Sequence, residues 1–327
     1  MTNINLDRYS KITSNFHNKR IMVIGDLMLD KYYWGYTERI SPEAPVPIVD
    51  VDRVDYRPGG AANVALNLSS LGCEVVLFGF IGSDNDGIKL IDVLKKQNVN
   101  CEDIIVSENR HTTVKTRVMS HDNQVIRVDF ESKKNLSNKS IEKLLAVIEK
   151  NILDVDGVIL QDYNKGVLNK NNISSILDIA NKSEKKIYVD PKKSNFKSYK
   201  NVRLFKPNLI EFENSYASKN ESIERIGFEL KNEINAEILL ITQGPKGVSL
   251  YSGKDYHHII TKARKVHDVS GAGDTVISTF SLSDICEATP RESAILANFA
   301  AGRVCEEVGV MPINIKMLDE ILGYDRN

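Results

Sequence analysis

Short apolar runs alternate along this chain with segments whose apolar residues recur every three or four positions, and that rhythm restricts the fold more than any other feature. The runs include Ile21–Gly25, Val75–Phe80, Val155–Leu160, Lys186–Asp190, Val202–Lys206 and Glu237–Ile241. Between them, Ala61, Val64, Ala65, Leu68 and Leu71 share one helical face, as do Ile141, Leu144, Leu145 and Ile148, and then Ile223, Ile226, Leu230 and Ile234. Strands this apolar must be covered on both sides, and strand–helix alternation supplies the covering helices. The expected class is α/β, with a mainly parallel central sheet between helical layers, in a single unit spanning 1–327. Sheets of this kind gather ligands at their strand tips.

Two stretches break the rhythm, at about 31–57 and 112–131. The first carries Tyr32, Tyr33, Trp34 and Tyr36, then a proline-rich Ser41–Pro47 and an extended Ile48–Val54. The second reads as a hairpin, Val114–His121 and Gln124–Glu131, around a two-residue turn at Asp122–Asn123. That turn pairs position i with 245−i. It puts Lys115, Arg117, Val128 and Phe130 on one face, and Thr116, Val118, Arg127 and Asp129 on the other. Both stretches are expected to build a small second sheet inserted into the major unit. Its exposed edge needs covering, which suggests a homodimer through this sheet.

Lys plus Arg number 43 against 44 Asp plus Glu, which gives no basic excess for a nucleic-acid surface. No apolar run reaches the roughly 20 residues needed to cross a bilayer. The polar first 20 residues do not read as a signal peptide, so the expectation is a cytoplasmic protein with no membrane contact. Cys73, Cys101, Cys286 and Cys305 are scattered, and neither they nor the histidines have metal-site spacing.

The segment Val266–Thr275 carries the chemistry. Extended residues meet Gly271–Ala272–Gly273, and an apolar-faced helix follows. Small residues let backbone N–H groups approach an anion, and a helix start presents unpaired donors. Asp274 lies in that first turn, where its carboxylate can accept a hydroxyl proton. By itself this pattern also describes a tight helix entry with a capping charge. It is neither a lysine-containing phosphate loop nor a dinucleotide fingerprint. Asn208 and Glu211 are spaced to share a helix face; the same spacing forms a capping box. At strand tips, Asp26 and Asp30 with Asn63 make a reasonable set for holding sugar hydroxyls.

Two motifs in this order, Gly59–Gly60–Ala61–Ala62–Asn63 and Asp268–Val269–Ser270–Gly271–Ala272–Gly273–Asp274–Thr275, resemble the ribokinase-like carbohydrate and nucleoside kinases, and the likeness runs from Ile21 to about Leu322. The resemblance implies a three-layer α/β/α domain with a small β-sheet lid hinged at Gly59 and Gly60. It implies ATP as phosphoryl donor, an anion hole at Gly271, Ala272 and Gly273, and Asp274 as catalytic base. Asn208 and Glu211 would organise Mg²⁺ through its waters, while Thr242, Gly244, Gly247 and Asn298 would border the nucleotide. In Gly309–Val310–Met311–Pro312, Gly309 fits the family pattern, but Met311–Pro312 replaces the small polar residues expected there.

Longer blocks resemble a narrower branch, the heptose-phosphate kinases. These are Gly25–Tyr32, Ser41–Pro47, Arg57–Ala65, Gln161–Gly166, Asp190–Lys192 and Lys206–Asn208. That likeness implies transfer to the anomeric 1-hydroxyl of a β-configured heptose 7-phosphate, giving a 1,7-bisphosphate for nucleotide-activated heptose and surface polysaccharide. Substrate contacts are then expected from Asp26, Asp30, Gly59, Gly60, Asn63 and Asp162, with Lys115, Arg117, Lys165 and Lys192 as candidates for the existing phosphate. Some relatives carry a fused nucleotidyltransferase; ending at Asn327, this chain is expected to lack it. The alternatives are a kinase for another sugar or sugar phosphate and a silent ligand-binding regulator.

Overall fold

The computed structural model describes residues 4–121, 123–132, 134–216, 222–261 and 267–323. After α1 (Leu6–Thr13), the strand β1 (Arg20–Gly25) runs directly into β2 (Leu27–Ile40) and β3 (Pro47–Gly60). There follow α2 (Ala61–Ser70), β4 (Glu74–Gly82), α3 (Asn85–Lys96), β5 (Ile104–Ser107), and the hairpin β6 (Thr113–Ser120) and β7 (Asn123–Phe130). The alternation resumes with α4 (Asn138–Asn151), β8 (Gly157–Gln161), α5 (Lys170–Lys182), β9 (Lys186–Asp190) and β10 (Leu204–Phe205). Then come α6 (Leu209–Ser215), α7 (Ile223–Glu233), β11 (Ile238–Thr242), β12 (Val248–Ser252), β13 (Asp255–Ile259), α8 (Ala272–Ile285), α9 (Pro290–Val304) and α10 (Ile315–Leu322).

Nine strands form the central sheet in the order β13-β12-β11-β10-β9-β8-β1-β4-β5. From β11 to β5 they run parallel, and the β12–β13 hairpin closes one edge antiparallel. The expected mainly parallel sheet is thus present. Residues alternate between two apolar layers. Ile21 and Val23 face one with α2, α8 and α9, whereas Met22 and Ile24 face the other with α4, α5 and α7. Burial on both faces explains why these strands read as unbroken apolar runs.

The second sheet has the order β3-β2-β6-β7. Its hairpin register corrects the sequence expectation. Ser120 pairs with Asn123, and His121 is left-handed at φ 54°; Asp122, half of the expected turn, lies outside the described residues. After a bulge at Val118/Met119, the partners sum to 244: Arg117 faces Arg127 and Lys115 faces Asp129. Arg127 and Asp129 therefore share a face with Lys115 and Arg117, while Val128 and Phe130 move to the face of Thr116 and Val118. The cause is complementarity. This register sets Lys115 Nζ 3.4 Å from Asp129 Oδ2 and places apolar residues opposite apolar ones. The result is one charged face with Asp30, Tyr32 and Arg57, and one apolar face with Tyr33, Val54, Val118, Ile126, Val128 and Phe130.

Candidate active site

Asp274 enters the site because Gly271 turns the chain at φ 80° and α8 begins one residue later. A Cβ on Gly271 would lie 2.7 Å from Asn63 Nδ2, so the approach of α2 requires glycine there. Asp274 is buried. Its Oδ2 accepts from Asn63 Nδ2 at 2.8 Å, and its Oδ1 accepts from Gln161 Nε2 at 3.0 Å and from the Tyr163 hydroxyl at 2.8 Å. Burial pushes its carboxyl up to about 7; the Asn63 bond opposes this, Asp190 adds to it, and Tyr163 and Lys206 oppose it. A carboxylate poised near neutrality can take a proton and release it again.

The first-turn amides of α8 lack intrahelical partners by geometry, although the Ala272 N–H turns back to Val269 O at 3.2 Å. Beneath this turn, Lys206 Nζ lies 3.0 Å from Asp190 Oδ2, both buried, and 3.6 Å from where a Gly273 Cβ would be. Gln161 Nε2 bridges Asp190 and Asp274, donating to each at 3.0 Å. Asp268, six residues before Asp274, instead accepts from the Ser270 amide at 2.8 Å.

On the small-sheet side, Asp30 is buried and accepts from Arg117 Nη1 at 2.5 Å. Burial raises its pKa against the pull of Arg117. Gly59 leaves room for that carboxylate, since a Cβ would stand 2.6 Å from Asp30 Oδ2. Gly60, at φ 59°, caps α2 and passes close to the Asp26 carbonyl. The Asp26 side chain is taken up by three amides, those of Tyr163, Lys165 and Val167, at 2.9, 3.0 and 3.1 Å. It holds the loop after β8.

Asp162 points away from Asp274. It accepts from the Asn164 amide, Asn195 Nδ2 and the Tyr199 hydroxyl, and burial pushes its pKa up to about 6. Lys165 Nζ pairs with Glu131 at 2.5 Å, and Lys192 pairs with Glu211 while lying 5.1 Å from the Tyr163 ring centroid. Burial opposes the charge on Lys192, but Asp190 and Glu211 outweigh it and raise its pKa.

The expected nucleotide-side residues come together. Thr242, Gly244, Gly247 and Asn298 line one largely apolar pocket with Ala272 and Gly273, adjoining the anion turn. Asn298 Nδ2 donates to the carbonyls of Ile259 and Ile260. Asn208 and Glu211 form the capping box of α6: Asn208 Oδ1 accepts from the Glu211 amide at 2.8 Å, and Glu211 Oε2 accepts from the Asn208 amide at 2.9 Å. Among the described residues no cluster of three or more His, Cys, Asp or Glu is built to hold a metal directly.

Sequence reasoning missed the roles of Gln161, Tyr163, Asp190, Lys206 and Asn67. The buried Asn67 amide Oδ1 accepts from the Ile313 amide and the Thr275 hydroxyl, and its Nδ2 donates to Asn63. Period-2 alternation past the end of β8 was the available signal for Gln161 and Tyr163, since residues two apart share a side.

A carboxylate at a glycine-turned helix start, between an apolar cleft and a charged sheet face, is an arrangement that suits phosphoryl transfer by a kinase of the sugar class. The chain belongs to the pfkB family of carbohydrate kinases, whose model matches residues 18–316. Among curated proteins it is 39% identical over 313 residues to the bifunctional protein HldE of Sulfurimonas denitrificans, covering 95% of this chain and 65% of that protein. It is 39% identical over 306 residues to HldE of Helicobacter pylori, with 93% and 65% covered. The chain thus spans just under two thirds of the length of these relatives. Among solved structures, phosphofructokinase-2 of Escherichia coli in complex with substrates and products superposes with a TM-score of 0.77 at 18% identity, covering 94% of this chain and 99% of that one. Arabidopsis thaliana ribokinase complexed with ribose and ATP does so at 0.72 and 17%, covering 94% and 99%. The fold is therefore ribokinase-like. Among the described residues no helix is long and apolar enough to cross a membrane.

Proposed function

We propose that this carbohydrate kinase transfers the γ-phosphoryl group of ATP to the anomeric 1-hydroxyl of D-glycero-β-D-manno-heptose 7-phosphate, giving the 1,7-bisphosphate in the cytoplasm for nucleotide-activated heptose. The observation that carries the chemistry is the buried Asp274, with a pKa near 7, in the first turn of α8. The identity to HldE proteins supports the heptose.

In the reaction, Asp274 accepts the proton of the sugar hydroxyl as its oxygen attacks the γ-phosphorus and the bond to the departing ADP oxygen breaks. Asn63, Gln161 and Tyr163 hold the carboxylate in place. The Gly273 and Asp274 amides receive the charge of the transferring group, and Lys206 adds positive potential from below. Asp30 receives sugar hydroxyls on the charged face of the small sheet, which acts as the lid over the sugar, and Arg117, Lys115 and Lys165 stand on the side of the existing phosphate. Asn208 and Glu211 offer an amide and one carboxylate already engaged with each other, a donor set that suits Mg²⁺ held through its waters. The ion, when bound, would neutralise charge on the β- and γ-phosphates.

The outward apolar face of the lid supports a homodimer. Ile126, Val128 and Phe130 are 54%, 53% and 54% exposed on it, a patch that pairing with a second copy would bury.

The test is ATP-dependent turnover across heptose 7-phosphate, ribose, fructose 6-phosphate and tagatose 6-phosphate, with the product position resolved. Heptose 7-phosphate should be the preferred acceptor and should gain its phosphate at the anomeric position. Efficient use of another sugar without it would overturn the substrate reading. Asp274→Asn should bind ATP and sugar but lose about 10²–10⁴-fold or more in single-turnover rate. Near-normal transfer would remove Asp274 from the role of base.

A further inference from the structure

Arg57 stands directly before the Pro58–Gly59–Gly60 hinge and reaches across to the loop that follows α9. Its Nη1 donates to the carbonyls of Val308 at 3.0 Å and Val310 at 2.9 Å. The loop is shaped around it. Gly309 lies between those carbonyls at φ 78°, and a Cβ there would stand 2.3 Å from Arg57 Nη1. A side chain at 309 is therefore opposed both by the backbone conformation and by the guanidinium. The other surface of the guanidinium rests on Tyr32, 5.0 Å from the ring centroid, and the Tyr32 hydroxyl accepts from the Val310 amide at 3.4 Å. Tyr32 and Arg57 both belong to the charged face of the small sheet.

The loop in turn touches the reacting end. Val310 Cγ1 lies 3.3 Å from the position of a Gly271 Cβ, against the turn that starts α8, and Cys305 lines the nucleotide-side pocket. One guanidinium thus joins the sugar-side sheet to the segment that supports the anion turn.

We propose that Arg57 is a positioning residue: it couples closure of the small sheet over the sugar to the geometry of the nucleotide-side anion turn, so that binding of either substrate favours the other. This rests on the reading of the small sheet as the lid. When the sheet is seated, two carbonyls of loop 308–310 are satisfied by a lid cation and Val310 is held against Gly271. When it lifts, the carbonyls lose those donors and the turn loses its lateral support. Because coupling is reciprocal, the same factor must appear in the affinity of each ligand.

The experiment measures binding of a non-hydrolysable ATP analogue by calorimetry with and without saturating heptose 7-phosphate. The unaltered protein should show tightening of about fivefold or more. Arg57→Met, which keeps an apolar stem over Tyr32, should bring that factor to within about twofold of unity. It should leave the affinity for either ligand alone no tighter than in the unaltered protein. Gly309→Ala should do the same from the loop side, and the two changes together should add nothing further. Arg57→Lys should retain part of the coupling. Hydrogen exchange in the ligand-free protein gives an arm independent of substrate: Arg57→Met should speed exchange in both 47–60 and 305–311. Folded variants that keep the full coupling factor would overturn the proposal, as would unchanged exchange in both segments. If Arg57→Met does not fold, Gly309→Ala decides by the same readings. If the unaltered protein does not bind heptose 7-phosphate, that reading of the substrate fails, and the exchange arm alone judges the latch.

Discussion

Replacing Tyr163 with Phe removes one hydroxyl from the bonds that hold Asp274 and leaves the ring beneath Lys192 in place. The lost bond, 2.8 Å long, favours the ionised form of the Asp274 carboxyl, so its removal favours protonation. A hydrogen bond to a charged group contributes about 1.5–3 kcal/mol. At about 1.4 kcal/mol per pKa unit this is a rise of roughly one to two units, and water entering the part-buried position should hold it near one. Asp274 starts at about 7. With Asp274 as the proposed base, activity is lost as pH falls through that pKa, and in the variant the loss should set in about one unit higher. The assay is the pH profile of kcat/KM from about pH 5.5 to 9.5 for both proteins, compared as a ratio so that titration of the substrates cancels. The ratio should approach a constant at high pH and fall about tenfold more at low pH. A pH-independent ratio would refute the reasoning and leave Tyr163 a packing role only.

Asp284, buried at the opposite end of the sheet, accepts from Lys186, Tyr188 and Arg203. Burial works to raise its pKa, but Arg203 and Lys186 outweigh it and the net shift is downward. Asp284→Ala should cost about 3 kcal/mol in urea unfolding at pH 7. A depressed carboxyl contributes stability above its unfolded pKa, so the gap should close as pH falls through the folded value, below about 4. Gly227→Ala would place a Cβ 2.2 Å from Tyr251 Cζ and should lower stability by about 1–3 kcal/mol, read by thermal melting, with kcat of the folded fraction unchanged. Ile126→Ser with Val128→Ser should weaken self-association at least about tenfold in sedimentation across a concentration series, while a mass unaffected by the change would place any interface elsewhere.

The parallel sheet was legible because two-sided burial writes itself into runs such as Ile21–Gly25. Asp274 was legible because a positive-φ glycine and a helix start leave a compact trace in sequence. The support around it was not. Gln161 and Tyr163 differ from Asp162 only in which side of the strand tip they project to, and parity at the end of a strand depends on where the strand stops pleating. Asp190 and Lys206 meet because β9 and β10 are neighbours, a relation fixed by the whole sheet order. In the hairpin, the turn chemistry of Asp122–Asn123 and the cross-strand charge pairing point to registers one residue apart. Lys115 opposite Asp129 was the better guide to register, because a slip of one residue exchanges the faces of an entire strand.

The place of β1 in the sheet sets a problem for the chain as it leaves the ribosome. Its two neighbours are β4 and β8, both later in the sequence, so a nascent chain carries Arg20–Gly25 with one hydrogen-bonding edge open until Gly82 has emerged and the other until Gln161 has. At the ~5–20 residues per second of synthesis, that second edge stays unpaired for several seconds or longer. It is an apolar strand with no charge of its own beyond Arg20, and so a template for pairing with other chains. During elongation, residues 21–25 therefore depend on whatever shields them until both neighbouring strands have emerged. Slowing translation between codons 82 and 161 should lower the soluble fraction, whereas the same delay after codon 161 should not.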